Sequence, residues 1–275
     1  MRAWLRTHPA AGFILLAYGI SYLIGFPLLL VLLKVTRLPP PLPTYVSRIF
    51  VVYGPGLAAL ILAAIRTGDG SGPRLLLRSL RPRMSDLPWT IAVLAGAAIA
   101  ALLALLARGV SLGHVREVVS AAYPLLIANF ALQVVIVAVG EELGWRGWLL
   151  PALLQKMTRL RATAALAVVW GLWHLPLLLS TVTTTVMLLL GVAGFSTLFT
   201  WLWVRTGQRL FVVAVAHAAV NTPAFFWEQA GGGAPDQILG FWYTLETIAA
   251  MSGLLLVFAR WRWWQSMQSV GRGVI

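Results

Sequence analysis

The chain has 275 residues, of which 60% are hydrophobic and only 11% charged. Its mean hydropathy of +0.85 excludes an ordinary soluble domain and reads as a polytopic membrane protein. The formal charge of +13 raises nucleic acid as a partner, but the placement of that charge, described below, argues for membrane topology instead; with no cysteine there is no disulfide framework.

A membrane-crossing helix needs about 20 mostly apolar residues. Eight windows meet this: 11–34, 45–65, 88–107, 122–154, 162–180, 185–204, 210–227 and 239–259. The apolar runs are continuous and do not alternate, so each is helical. The expected fold is all-α, a membrane bundle of about eight transmembrane helices forming one integral membrane domain over 1–275.

The first window follows the basic start MRAWLRTHP and ends in KVTRLPPPLP without a small-residue cleavage site. It reads as a retained span and not as a signal peptide. Between the second and third windows lies PRLLLRSLRPRMSDLPW, where Arg74, Arg78 and Arg81 recur beside Leu75, Leu76, Leu77 and Leu80. That spacing fits an interfacial amphipathic helix or simply a topology signal.

The fourth window carries the polar residues that lipid should exclude: Asn129, Gln133, Glu141, Glu142 and Arg146. Ionisable groups at mid-span cost about 2.5 to 3.5 kcal/mol each on insertion scales, so they persist when paired or functional. Glu142 and Arg146 are four apart and share a helical face, with the acid on the N-terminal side as pairing prefers. That leaves Glu141 without an evident local partner. Asn129 and Gln133 read as interhelical hydrogen-bonding groups.

His174 in the fifth window and His217 in the seventh also lie within apolar runs, and Asn221 follows His217 by four residues on the same face. Pro176, just after His174, fits either a kink that opens room at the site or a proline with no such role, since Pro is common in spans. His8 and His114 fall in a tail and a loop and read as solvated. Glu246 in the eighth window reads as a hydrogen-bonded packing group in the outer half of its span. The tryptophans of ARWRWWQ, 259–265, read as interface anchors.

Sidedness follows from assigning the loops alternately. One side receives fifteen basic residues, among them Arg2, Arg6, Arg66, Arg74, Arg78, Lys156, Arg161, Arg205 and Arg262; the other receives Lys34, Arg37, Arg48, Arg108 and Arg116. By the positive-inside rule both termini are cytoplasmic, and the EQAGGGAPDQ loop at 228–237 faces outward. At about 1.5 Å rise per residue, Glu141 is about 22 Å from the level of Lys156, His174 about 20 Å from Arg161, and Asn221 about 18 Å from Arg209. The expectation is a shared site at comparable depth, provided the fourth helix continues past residue 140.

Peptide hydrolysis needs a group that activates water and donors for the oxyanion. Glu141 with His174 and His217 would also make a zinc set with an open position for water. The spacing is not H-E-x-x-H, and the residues leave both versions open. A non-catalytic membrane scaffold, an immunity protein or a small transporter could use the same polar groups for binding.

Three motifs taken in order carry a resemblance: Glu141, Glu142 and Arg146 as E-E-x-x-x-R; Trp170 four residues before His174; and His217 with Asn221 as H-x-x-x-N. Together they resemble the CAAX prenyl endopeptidase and bacteriocin-processing (CPBP, or Abi) family of intramembrane proteases, with Trp170 where the family often has Phe. The likeness covers 124–225. It implies an intramembrane endopeptidase in which Glu141 and His174 activate water and His217 and Asn221 stabilise the oxyanion or help hold a metal, with Glu142, Arg146 and Trp170 in support. The implied partners are the lipid bilayer and a membrane-associated peptide or protein, CAAX-type in some members, and the implied location is the cell membrane. Metal dependence, with zinc as the candidate, stays open.

Overall fold

A computed structural model describes residues 2–35, 42–174 and 181–267. Among these the chain is a helical bundle. α1 (Arg2–Thr7) leads into α2 (Pro9–Tyr18), which continues through a π-helical stretch, Gly19–Gly25, into α3 (Phe26–Val35). Then come α4 (Leu42–Thr67), the short α5 (Ser71–Arg78) and α6 (Leu87–Ala107).

α7 (Leu112–Val137) runs on through two π-helical stretches, Ala138–Glu142 and Trp145–Leu149, into α8 (Leu150–Leu154). α9 (Arg159–Trp173), α10 (Val182–Arg205), α11 (Leu210–Gln229), α12 (Pro235–Ala259) and α13 (Trp261–Gln265) complete the described chain.

Six of these stretches are long and apolar enough to cross a membrane, and Val51–Thr67 is a shorter apolar helix. The protein is an integral membrane helical bundle. All eight sequence windows fall on helices. The fifth is represented by α9 alone, because 175–180, including Pro176, lies outside the described residues.

The fourth window does not end at residue 140. It belongs to a continuous apolar stretch from Leu112 to Leu154, 43 residues long. Ala122, just before Pro124, has φ −125° and ψ 21°, so the stretch bends there. Without its N–H, proline cannot bond the preceding turn, and its ring crowds that turn's carbonyl.

α11 is the centre of the bundle. In its most apolar window 72% of residues are buried, against 22–28% in the other five spans. The helix that carries His217 and Asn221 is therefore the one best shielded from lipid. α10 and α12 pair beside it through small residues: a Cβ on Gly194 would strike the backbone of Ala249. Where lipid is as apolar as the side chains, close backbone approach of this kind drives packing.

The basic loops gather at one end of the bundle. Arg159 NH1 donates to Trp263 O at 2.8 Å, tying the C-terminal region to the start of α9, and Trp148 Nε1 donates to Pro9 O at 3.2 Å, tying the start of α2 to the second π-helical stretch. Arg209 bonds Asp86 through Nε at 2.9 Å and NH2 at 2.7 Å, and NH2 also reaches Arg81 O at 2.6 Å. At the opposite end His114 meets the edge of Trp227, with ring centroids 5.8 Å apart. The helix of the PRLLLRSL segment is shorter than its spacing implies: it ends at Arg78, before Arg81, and buries Leu76 while Leu75 and Leu77 are exposed.

Candidate active site

Glu141 and Glu142 are buried, at 6% and 0% exposure, in the first π-helical stretch of the long fourth segment. A π-helical turn widens the helix locally and is often found where function demands an irregular backbone. Close packing against α4 holds this stretch in place. A Cβ on Gly140 would lie 2.8 Å from Val52 O, and one on Gly144 would lie 2.6 Å from the Pro55 side chain. Gly140 and Gly144 are four residues apart, the small-xxx-small spacing that lets two membrane helices meet backbone to backbone. This spacing is legible in the sequence as G-x-x-x-G at 140–144.

The expected pair of Glu142 and Arg146 forms: Arg146 NH1 donates to Glu142 Oε1 at 2.9 Å, with both side chains fully buried. The same oxygen accepts from His217 Nδ1 at 2.7 Å. Arg146 lies over two aromatic rings, 4.5 Å from the centre of Trp170 and 5.2 Å from Phe199. These faces supply cation–π contact where the remaining guanidinium N–H groups have no oxygen partner among the described residues.

Glu141 is not without a local partner, as its sequence context implied. Trp145, four residues on, donates its indole N–H to Glu141 Oε2 at 3.2 Å, and Trp170 donates to the same oxygen at 2.8 Å. A buried indole N–H usually needs an acceptor. Trp145, one helical turn from the carboxylate, is the readable clue; Trp170 comes from α9, 29 residues away. Both bonds use Oε2, so Oε1 is the oxygen that no described side chain engages.

His174 ends α9, and its Nδ1 sits 2.8 Å from Trp170 O. A carbonyl only accepts, so Nδ1 carries the proton and Nε2 keeps its lone pair. The His217 ring is likewise held through Nδ1 by Glu142, which frees Nε2. Trp170 separates the two imidazoles, with ring centroids 5.8 Å from His174 and 5.3 Å from His217.

Glu141, His174, His217 and Asn221 all line one cavity of about 590 Å³, together with Gln133 and Trp170. Most of its remaining wall is apolar, including Phe26, Val52, Leu188, Val192 and Phe195. The polar row of the fourth segment divides: Gln133 faces this cavity, whereas Asn129 Nδ2 donates to Leu125 O and Gln229 Oε1, both at 3.1 Å, as interhelical bonding predicts. Glu246 differs from its reading as a hydrogen-bonded packing group. It lines the cavity, and its Oε2 is buried with no partner among the described residues.

Residues 123–223 match the Rce1-like family, described as type II CAAX prenyl endopeptidase Rce1-like. The Rce1-like segment covers the 124–225 resemblance nearly end to end and contains all seven residues of the three motifs. At family level it supports a CAAX-type intramembrane protease. A comparison with curated proteins finds no match.

Among the described residues no three His, Cys, Asp or Glu side chains stand close enough together to hold an ion. Oε2 of Glu141 is taken by two indoles and Nδ1 of each histidine by a protein oxygen, so Glu141 Oε1 and the two Nε2 atoms are the ones left to meet an ion. In this arrangement Glu141, His174 and His217 do not stand close enough together to share one ion.

Proposed function

We propose that the protein is an intramembrane endopeptidase that uses Glu141, His174, His217 and Asn221 to hydrolyse a peptide bond of a membrane-associated substrate, with CAAX-type peptides as the first class to test. The observation that carries this reading is their meeting in one cavity at membrane depth, within the Rce1-like segment.

The chemistry follows from the free atoms. A water between Glu141 Oε1 and His174 Nε2 loses a proton to the carboxylate as its oxygen bonds to the scissile carbonyl carbon. Anchoring Oε2 on two indole N–H groups fixes the direction of Oε1. The carbonyl oxygen takes up negative charge and accepts hydrogen bonds from Asn221 Nδ2 and from His217 Nε2 when that atom is protonated. The tetrahedral carbon then expels the amine as its C–N bond breaks, and the proton held by Glu141 passes to the departing nitrogen. Glu142 and Arg146 hold the His217 ring, and Trp170 keeps Glu141, His174 and His217 in register.

The location we propose is the cell membrane, with both termini cytoplasmic. The gathering of basic loops at one end supports this orientation. Purified protein in liposomes should cleave a membrane-tethered peptide, and Glu141→Ala and His174→Ala should each abolish cleavage while the protein stays folded. Cleavage surviving both changes removes these residues from the mechanism. Cleavage lost to a chelator and restored by zinc would favour a metal-dependent site over the water-activating pair.

A further inference from the structure

The cavity contains a carboxyl group that the reaction above does not use. Glu246 lies on α12, across the bundle from the motif residues, and its side chain reaches the cavity wall. By helix rise it is about 20 Å from the Ala259 end of α12, and Asn221 is about 17 Å from the Leu210 end of α11. The two are thus at similar depth.

The setting of Glu246 is built. A Cβ on Gly191 would lie 2.5 Å from Glu246 Cγ, so only glycine at 191 leaves space for this side chain beside α10. Thr184 and Tyr243 join the same two helices through their hydroxyls at 2.7 Å, one turn before Glu246 on α12. Yet Oε2 is buried and has no hydrogen-bond partner among the described residues. A carboxyl group in an otherwise apolar wall costs stability unless something satisfies it.

A peptide offers what is missing. To be cut, its backbone must lie extended in the cavity, where its N–H groups lose both water and helical partners. A carboxyl group, ionised or neutral, offers an acceptor oxygen that meets that need. Resting on the endopeptidase reading of this cavity, we propose that Glu246 is a substrate-binding residue that accepts a hydrogen bond from an N–H group of the peptide and so sets which bond reaches Glu141. The donor is a backbone amide or a basic side chain.

The test separates binding from cutting. In nanodiscs, a fluorescent membrane-tethered peptide is titrated onto Glu141→Gln and onto the double variants that add Glu246→Leu or Glu246→Gln, with thermal unfolding as the fold control. Loss of one hydrogen bond to a buried carboxyl group should weaken binding about tenfold in the Leu variant. Gln, which keeps a carbonyl acceptor, should restore most of it for a backbone donor. If instead Gln binds as poorly as Leu, and only with peptides that contain Lys or Arg, the donor is a basic side chain. Unchanged affinity in both folded double variants overturns the proposal. Binding that depends on Glu246 in a protein that cuts nothing would retire the endopeptidase reading, and with it the choice of bond, while leaving Glu246 as a peptide-binding residue.

Discussion

Trp170 donates its indole N–H to Glu141 Oε2 at 2.8 Å while its ring lies between His174 and His217. One side chain thus orients the carboxylate and spaces the two imidazoles. Trp170→Phe keeps the aromatic wall but removes the donor. If the indole bond aims Oε1, this variant should lose about tenfold in kcat, the effect of one hydrogen bond to a charged group, with KM little changed. Steady-state cleavage in liposomes checks it. An unchanged kcat would mean that Trp145 alone suffices to hold Glu141.

Glu142 and Arg146 make a second prediction, about stability. Both are fully buried, and Glu142 Oε1 holds Arg146 and His217 together. Removing one member of a buried ion pair leaves the other charge uncompensated and costs about 3 to 5 kcal/mol in soluble proteins. Arg146→Met should therefore unfold at much lower temperature than the native protein. Replacing both, as Glu142→Gln with Arg146→Met, should recover part of the loss, because no unpaired charge remains. Thermal unfolding in detergent distinguishes this coupling from simple additivity.

Much of this arrangement was legible in the sequence, for physical reasons specific to membranes. Charge is so costly in lipid that Glu141, Glu142, His174 and His217 stood out as soon as the apolar windows were drawn. Helical periodicity then gave the Glu142–Arg146 pair. What could not be read was which partner each polar atom chooses across the bundle. His217 bonds Glu142 and not Glu141, and no local spacing specifies a contact between residues 75 positions apart. Glu246 was misread because its partner was assumed to lie within the protein, whereas its Oε2 lacks one among the described residues. The π-helical turns were missed for a different reason: they depend on α4 pressing against Gly140 and Gly144, and hydropathy carries no trace of that approach.

The latch between Arg209 and Asp86 gives a third prediction. Arg209 precedes the first residue of α11 and bonds both oxygens of Asp86 at the head of α6, as well as Arg81 O. It thereby fixes the end of the helix that carries His217. Because the pair is near the surface and both side chains are largely buried, its loss should cost less than loss of the Glu142–Arg146 pair, about 1 to 3 kcal/mol. Arg209→Lys keeps the charge but cannot form the two-pronged bond, and should restore only part of the stability that Arg209→Met loses. Unfolding temperatures of the two variants decide this.

Gly144 offers the sharpest steric test of how the motif helix is held. A Cβ there would lie 2.6 Å from the Pro55 backbone carbon and side chain, closer than real methyl groups approach, and Pro55 is itself inside α4 and cannot shift freely. Gly144→Ala should therefore push the two helices apart, and Gly144→Val more so. Because Glu141 and Glu142 lie within one turn of that contact, the first effect should be on the site: cleavage should fall before the protein unfolds. Gly96 provides the matched control, since a Cβ there would meet nothing within 4 Å and Gly96→Ala removes helix-interior glycine at no steric cost. If Gly144→Ala cleaves as fast as Gly96→Ala and unfolds at the same temperature, close approach of α4 is not what shapes the glutamate turn.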